Sequence, residues 1–352
     1  MSSPAKDRKE THRQSEELLI EVKNLKTYFH LDEGLLKAVD DVDIEIHKGE
    51  TLGLVGESGC GKSVTARSIM RIVPPPGKSE GEIIFGPSGN GESANQIDLL
   101  KLAPSGSEIR SIRGRDITMI FQEPMTSFSP LHTIGNQIEE AILLHRTKDP
   151  KQAKEIALDM ISKVGISNPS QRINEYPHQL SGGMRQRAMI AMALSCNPLL
   201  LIADEPTTAL DVTVQAQVID LMLGLREEYG MAMLYITHDL GVIAEIADRI
   251  AVMYLGKVIE TGNAIDIFYR ATHPYTKALL ESVPVMGRKT GRRLAAIRGT
   301  VPVPINLSDR CGFRPRCKFY DDGDCSNTTP PMIEVGDGHF VRCYRSGDFQ
   351  SQ

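Results

Sequence analysis

The sequence lacks the features expected of membrane spans, secretory signals and nucleic-acid binding surfaces. No run approaches the roughly 18 consecutive apolar residues that a transmembrane helix needs. The N-terminal segment MSSPAKDRKETHRQSEE, residues 1–17, has no apolar core and is predicted to be a disordered tail. The 40 Lys and Arg residues do not outnumber the 45 Asp and Glu residues, which argues against a broad nucleic-acid surface. Any membrane role is therefore expected to depend on partners.

Closely spaced cysteine pairs are also missing, although the chain contains six cysteines. Cys60 and Cys196 are isolated, and the other four lie near the C-terminus: Cys311, Cys317, Cys325 and Cys343. Without an export signal, metal binding is a better interpretation of this group than disulfides. Four thiolates suit zinc or an iron–sulfur cluster, but C-x2-C pairs and ferredoxin spacing are both absent. From the residues alone, zinc, a cluster and no metal all remain open.

Strand-like and helix-like segments alternate along most of the chain, which predicts an α/β fold with a mostly parallel sheet. Apolar runs typical of strands occupy residues 18–24, 51–56, 199–204, 231–237 and 249–255. A helix is predicted from Gly61 to the prolines at 74–76, and mostly helical structure from about 134 to 196. Residues 86–108 are rich in Gly, Ser and Asn and are predicted to form a loop or an insertion. The composition changes after about residue 265, where we place a domain boundary.

A glycine-rich turn follows the second strand-like run of that series. Residues 56–63 read GESGCGKS and fit the pattern G-x-x-x-x-G-K-S, with a buried strand before them and a helix after. The backbone N–H groups of this turn can surround phosphate oxygens, which Lys62 can also reach, while Ser63 offers a hydroxyl to magnesium. The predicted nucleotide contacts are Gly56, Ser58, Gly59, Cys60, Gly61, Lys62, Ser63 and Val64. We interpret Cys60 as a neutral filler of the loop.

Two acids and a histidine follow later strands. Asp204 ends the run LLLIAD and Glu205 comes directly after it, while His238 follows the run MLYIT. An acid at the end of a buried strand can hold magnesium through water, and the next acid can orient the attacking water. Ligands of open α/β sheets bind at this edge, so we assign Glu205 to catalysis. A lone histidine is more often structural, and His238 is assigned to catalysis only in combination with the motif described next.

A second anion site is predicted far from the first. Ser181, Gly182 and Gly183 open a helix within LSGGMRQ, where free N–H groups can bind phosphate. One nucleotide does not easily need both sites within one domain. The simplest arrangement is a head-to-tail pair of domains in which each completes the other's site.

These motifs together resemble the nucleotide-binding subunits of ABC transporters over about residues 18–265. By that resemblance, residues 56–63 are the Walker A loop, LSGGMRQ the signature, and Ala209-Leu210-Asp211 the D-loop. Asp204 and Glu205 match the Walker B acid and the catalytic glutamate, and His238 the switch histidine. Gln122, in IFQEPMTSFSP, matches the Q-loop residue that senses magnesium. The resemblance implies bound ATP and Mg²⁺, and an aromatic residue stacked on adenine, which is Phe29 or Tyr28.

A narrower resemblance is to the dipeptide and oligopeptide permease ATPases. It rests on IRGRDITMIFQEPMTSFSP, on HPYTKALLESVP at 273–284 and on the cysteine-rich tail. The resemblance implies a P-loop ATPase domain at 18–265, with a helical subdomain at about 124–197, and a C-terminal extension at 266–352. It also implies that the four C-terminal cysteines hold a 4Fe–4S cluster.

The function expected from these resemblances is an ATPase subunit at the cytoplasmic face of the cell membrane. Its expected partners are a second ATPase subunit, two transmembrane permease subunits and an extracytoplasmic solute-binding protein. Import of nickel or another small solute is the alternative to peptide import. A DNA-repair or chromosome ATPase would carry a long coiled coil between Ser63 and Leu180, and a translation-associated ATPase usually carries two cassettes. A non-enzymatic regulator is disfavoured by the presence of Glu205 and His238.

Overall fold

The computed structural model describes residues 17–86, 96–122, 127–208, 210–282 and 297–349. The predicted disordered tail therefore lies almost entirely outside the described residues, as do residues 123–126 after Gln122 and Ala209 of the D-loop motif. Within the described part of the chain, no helix combines the length and apolar character needed to cross a bilayer.

An eight-stranded sheet forms the centre of the molecule, in the order β11-β12-β10-β9-β3-β8-β7-β6. Its strands are β3 (Thr51–Val55), β6 (Ile117–Ile120), β7 (Leu200–Asp204), β8 (Ala232–Thr237), β9 (Arg249–Tyr254), β10 (Lys257–Asn263), β11 (Ile333–Gly336) and β12 (His339–Val341). The five strands from β9 to β6 pair in parallel, and β10, β11 and β12 join antiparallel. Every residue of β3, β7 and β8 is buried, as expected for parallel strands covered on both faces.

A second, antiparallel sheet has the order β2-β1-β4-β5. Its strands are β1 (Leu18–Leu31), β2 (Gly34–His47), β4 (Gly77–Phe85) and β5 (Ile97–Asp98). Alternating side chains of β2, such as Val42, Ile44 and Ile46, are buried in the core that lies between this sheet and the central one. The period of two in the sequence thus places one face of β2 on that core.

Only helices lie in the described chain between β6 and β7. The α-helices span Ile134–His145, Pro150–Lys163, Pro169–Arg172 and Gly182–Leu194, and a 3-10 helix spans Pro177–Gln179. Side-chain oxygens cap three of them: Thr133, Asp149 and Ser181 each accept a hydrogen bond from a backbone N–H of the first turn. The remaining helices are Lys62–Ile69, Ser107–Ile112, Val212–Tyr229, Leu240–Ile246, Ala264–Tyr269, Pro274–Glu281 and Asp324–Asn327.

Two predictions about local structure are wrong. Residues 86–108 are not all loop, because β5, a short 3-10 turn and the start of the helix Ser107–Ile112 lie within the described part of that range. The helix that begins at Lys62 ends at Ile69, before the prolines, and Arg71 then adopts a positive φ of 53°. Short polar elements carry too few residues for their period to be recognised.

The C-terminal region does not form a separate small cysteine-rich unit. Glu260 and Thr261 of β10 pair with Val341 and Phe340 of β12, which in turn pairs with β11. The prediction of an α/β fold is confirmed by the two sheets and the helices between their strands. The prediction of a second, cysteine-rich domain is corrected, because the strands of this region extend the central sheet.

A buried acid joins the C-terminal residues to this sheet. Glu260 is fully buried and accepts hydrogen bonds from the Thr272 N–H at 2.6 Å, the His273 N–H at 3.2 Å and His339 Nε2 at 3.0 Å. Burial acts to raise the pKa of Glu260, but these hydrogen bonds hold it below its ordinary value. The acid thereby fixes the turn before the helix Pro274–Glu281.

His273 makes the fold sensitive to acid. Burial lowers the pKa of His273 to about 4, against the attraction of Glu260, and its Nδ1 accepts a hydrogen bond from the Tyr275 N–H at 3.0 Å. Because the unfolded chain binds this proton from about pH 6.5 downward and the folded chain does not, stability falls between about pH 6.5 and pH 4. The loss attributable to His273 should approach about 3 kcal/mol near pH 4.

We expect His273→Asn to reduce this loss, because Asn keeps a capping acceptor and does not titrate. Melting temperatures at pH 7 and pH 5 should therefore differ less in the variant than in the natural chain. Glu260 and His339 remain in both proteins, so a smaller change in melting temperature between pH 7 and pH 5 in the variant is due to the loss of His273. The same change in both proteins would contradict the assignment.

Candidate nucleotide site

The predicted phosphate, acid and histidine residues meet at one edge of the central sheet. Strands β3, β8, β7 and β6 are adjacent and parallel, so their carboxyl ends lie side by side. Gly56 follows β3, His238 follows β8, Glu205 follows β7, and Gln122 lies two residues beyond β6. The topology therefore brings together residues that are distant in the sequence.

Backbone geometry requires glycine at two positions of the phosphate loop. Gly56 has φ 156°, and a Cβ atom there would lie 2.2 Å from the Met253 carbonyl oxygen. Gly61 has φ 110°, and a Cβ atom there would lie 2.2 Å from the Ala38 carbonyl oxygen. Any other residue would both strain the backbone and displace a neighbouring strand.

Lys62 is anchored within its own loop. Its Nζ donates to the carbonyl oxygens of Gly56 at 2.8 Å and Glu57 at 3.1 Å, and lies 3.7 Å from the Cys60 sulfur. The Cys60 side chain is buried, and burial raises the pKa of its thiol. A protonated thiol in this place fits the interpretation of Cys60 as a neutral filler.

The predicted magnesium residues contact one another. The Ser63 hydroxyl donates to Asp204 Oδ1 at 2.9 Å, across 141 residues of sequence. Burial raises the pKa of Asp204, and the Ser63 hydrogen bond acts in the opposite direction. A hydroxyl and a carboxylate at the end of a strand are the oxygen donors that Mg²⁺ prefers.

Glu205 lies at the centre of a hydrogen-bond network. It has a left-handed φ of 47°, and its Oε2 accepts hydrogen bonds from Gln122 Nε2 and Thr208 Oγ1, both at 3.0 Å. Its Oε1 lies 3.2 Å from His238 Nδ1. The carboxylate is thus held by three side chains while it faces the cavity next to the phosphate loop.

That cavity has a volume of about 550 Å³. It is lined by Phe29, Leu31, Leu36, Ala38, Ser58, Gly59, Gly61, Lys62, Ser63, Val64, Gln122, Glu205 and residues 301–304. Phe29 therefore faces the phosphate loop. Tyr28, the other predicted aromatic residue, instead donates from its hydroxyl to Asp40 Oδ1 at 2.5 Å.

The signature residues lie elsewhere. Ser181 and Gly182 are exposed, Gly183 is half-buried, and none of the three is among the described residues that line the cavity. The signature helix is nevertheless linked to the acids, because the Gln186 side chain donates to the Pro206 carbonyl oxygen.

The four C-terminal cysteines line one small cavity together with Phe313 and Tyr344. Burial raises the pKa of Cys311, of Cys317 and, to about 12, of Cys343, which favours the neutral thiol at these positions. The cavity volume is about 20 Å³, room for roughly one water molecule. The described residues contain no group of three His, Cys, Asp or Glu side chains placed to hold a metal ion. The donor types fit an iron–sulfur cluster, and a cavity of this volume would have to widen to hold one.

Several residues of the site could not be recognised in the sequence. Thr208 supports Glu205, residues 301–304 line the cavity beside Phe29, and Arg316 pairs with Glu57 of the phosphate loop. The C-terminal residues lie more than 200 positions from the loop that they contact, and no local pattern marks them. Tyr275 also contacts Glu57. Of these residues, Tyr275 alone lies in a motif noted in the sequence, HPYTKALLESVP.

Comparison with known families and proteins agrees with this geometry. Residues 39–208 match the family model of the ABC transporter, and residues 259–325 match that of the oligopeptide/dipeptide transporter, C-terminal region. The oligopeptide transport ATP-binding protein AppD of Bacillus subtilis is 48% identical over 93% of this chain and 96% of its own length. The dipeptide transport ATP-binding protein DppD of the same organism is 46% identical over 93% of this chain and 95% of its own length.

A solved structure supports the same assignment. A dimeric ATP-binding cassette in a post-hydrolysis state, bound to ADP and Pi, superposes with a TM-score of 0.60 and 29% identity. It covers 70% of this chain and 99% of its own length. From the catalytic geometry and these similarities together, the chain belongs to the ABC transporter family as one of its ATP-binding and ATP-hydrolysing subunits.

Proposed function

We propose that this chain is the ATPase of an importer for dipeptides or oligopeptides. The observation that carries the proposal is the combination of a match to the ABC transporter model with a C-terminal region that matches the oligopeptide/dipeptide transporter model. The printed names of the relatives, which are oligopeptide and dipeptide transport ATP-binding proteins, favour peptides over nickel or another small solute.

Two copies of the ATPase domain, from this chain alone or from a paralogue, are proposed to work head to tail. The exposed position of Ser181 and Gly182, outside their own chain's cavity, supports this arrangement. Their helix N-terminus would meet the γ-phosphate held by the partner. The dimeric state of the similar cassette adds support.

Within one site, each residue has a proposed role. Phe29 stacks on the adenine, the phosphate loop and Lys62 bind the phosphates, and Glu205 orients the attacking water. Ser63, Asp204 and Gln122 would hold Mg²⁺, which neutralises developing charge on the phosphates. His238 lies beside Glu205 and would contact the transferred phosphoryl group.

The proposed partners are two transmembrane permease subunits and an extracytoplasmic solute-binding protein. The ATPase would then sit at the cytoplasmic face of the membrane. The segment after Gln122 is the proposed permease contact. Gln122 donates a hydrogen bond to Glu205, so a displacement of Gln122 would also displace the Glu205 carboxylate.

The experiment that tests this function is purification of the full chain from native membranes, followed by ATPase assay in proteoliposomes. We expect permease subunits to co-purify and the addition of peptide with its binding protein to stimulate hydrolysis. Stimulation by Ni²⁺ but not by peptides would replace the cargo. Co-purification of ribosomes or DNA in place of permeases would reject the transport function.

We further propose that the four C-terminal cysteines ligate a 4Fe–4S cluster with a structural role. Their convergence on one cavity supports this, and the cavity would have to open, with loss of the thiol protons, to admit the group. The cluster would bind the segment that contains Cys311 to the strand end at Cys343. No residue of the ATP site requires electron transfer.

Anaerobic purification tests this proposal. We expect equal amounts of iron and acid-labile sulfide, and loss of both in Cys343→Ala. Cys196→Ala is the matched control, because Cys196 is partly buried near the Ala141 carbonyl and distant in sequence from the cavity. Stoichiometric zinc without iron would contradict the cluster, and absence of any metal would leave these residues as free thiols.

A further inference from the structure

A contact between the C-terminal region and the phosphate loop has no role in the chemistry described above. Glu57, the second residue of the loop, forms a two-pronged ion pair with Arg316, which ends a 3-10 turn at Arg314–Arg316. Arg316 Nη1 lies 2.7 Å from Glu57 Oε2, and Nη2 lies 2.9 Å from Oε1. We propose that Arg316 is a positioning residue that fixes the phosphate loop, and with it Lys62, in the conformation that binds nucleotide.

The Arg316 side chain is itself immobilised, so it can impose a position on Glu57. Only 4% of the side chain is exposed. Its Nε donates to the Arg298 carbonyl at 2.8 Å, and Nη2 donates more weakly to the Gly299 carbonyl at 3.4 Å. A planar guanidinium with fixed partners on several sides is better suited to this task than a flexible ammonium group.

The loop backbone is held at the same residue. The Glu57 N–H donates to the Tyr275 hydroxyl at 3.0 Å, while the Glu57 carbonyl accepts from Lys62 Nζ at 3.1 Å. Side chain, N–H and carbonyl of Glu57 therefore each have a separate partner. Because one of these partners is Lys62, a displacement of Glu57 would move the anchor of the residue that binds the phosphates.

Three aromatic rings connect the two C-terminal contacts. The ring centroids of Tyr254 and Tyr275 are 4.7 Å apart, and that of Phe313 is 5.4 Å from each. The guanidinium of Arg316 lies over the Tyr254 ring at 5.8 Å. These packed rings join β9, the helix Pro274–Glu281 and the turn before Arg316 into one unit, so the two contacts act together on the loop.

If Arg316 only stabilised the fold, its loss would affect ATP binding no more than the loss of a similar ion pair elsewhere. Arg342 provides that control. Arg342 follows β12 and pairs with Asp41 of β2 at 3.4 Å, with 10% of its side chain exposed. It also donates to the Val258 carbonyl. This second ion pair joins the same C-terminal region to the N-terminal part of the chain, but it does not touch the phosphate loop.

The test compares Arg316→Met with Arg342→Met in the full chain. Both variants should lower the melting temperature. Arg316→Met should raise the Kd and the KM for ATP about tenfold, with a smaller change in kcat, whereas Arg342→Met should leave both within about twofold. Equal effects of the two variants on ATP affinity would overturn the proposal.

Glu57→Gln shows whether Arg316 acts through Glu57, and it serves if Arg316→Met does not fold. It should also weaken ATP binding. The double variant Glu57→Gln/Arg316→Met should bind ATP no more weakly than the single variant with the lower ATP affinity. Additive losses, or unchanged ATP affinity in Glu57→Gln, would show that Arg316 does not act on the loop through this pair. These assays need only ATP binding and hydrolysis, so they do not depend on peptide import.

Discussion

Glu205→Gln should bind ATP as the natural chain does and hydrolyse it at least about a hundredfold more slowly. The substitution removes the negative charge that polarises the attacking water but keeps the size of the side chain. It leaves the contacts of Lys62 and the Ser63–Asp204 hydrogen bond in place, so the phosphate site persists. Equilibrium binding of ATP and release of phosphate, measured on the same preparation, separate the two effects.

Two further variants serve as controls for Glu205→Gln. Lys62→Ala should lose ATP binding itself, because its Nζ is the side-chain cation of the phosphate loop. Glu108→Gln, on the exposed first turn of a helix away from the cavity, should change neither binding nor hydrolysis. Near-normal hydrolysis by Glu205→Gln would remove Glu205 from the catalytic role.

Motifs in which backbone conformation dictates the residue were the most predictable parts of this site. Gly56 and Gly61 cannot carry a Cβ atom, and Lys62 must follow them in a fixed register, so four fixed positions within eight consecutive residues identify the loop. The position of Asp204 after a wholly apolar run was equally informative, because a buried parallel strand leaves few other places for a charge.

Contacts between distant segments left no comparable pattern. The Arg316–Glu57 pair spans 259 residues, and either residue alone is an ordinary surface-type charge in the sequence. The C-terminal strands β11 and β12 are only four and three residues long, too short for their alternation to be distinguished from a loop. The pairing of β12 with β10, and of β11 with β12, depends on the whole chain having folded.

The cysteine group was predictable as a group but not as a site. The four residues do converge, as expected if they act together, yet they line a cavity of only about 20 Å³. Spacing along the chain limits which residues can meet. It does not determine whether their sulfur atoms stand at ligand distances from a common centre.

Ser181→Arg, made in the Glu205→Gln background, should prevent ATP-dependent dimerisation without weakening ATP binding by the monomer. Slow hydrolysis in that background should leave an ATP-bound dimer that light scattering can detect. Ser181 is exposed and lies outside its own chain's phosphate cavity, so an arginine fits in the monomer but would collide with the partner's bound nucleotide. In the chain with the natural Glu205, where hydrolysis can be measured, Ser181→Arg should lower the rate of hydrolysis at least about tenfold.

Ser181→Ala is the control that isolates this collision from a local effect. The Ser181 hydroxyl caps the signature helix by accepting from the Met184 N–H at 3.3 Å, and both substitutions remove that cap, at a cost of about 1 kcal/mol. Only the arginine adds bulk and charge at the surface that faces the partner. Ser181→Ala should therefore still dimerise with ATP, although less tightly. If Ser181→Arg instead abolished ATP binding by the monomer, Ser181 would belong to its own chain's site, and the head-to-tail arrangement would be wrong.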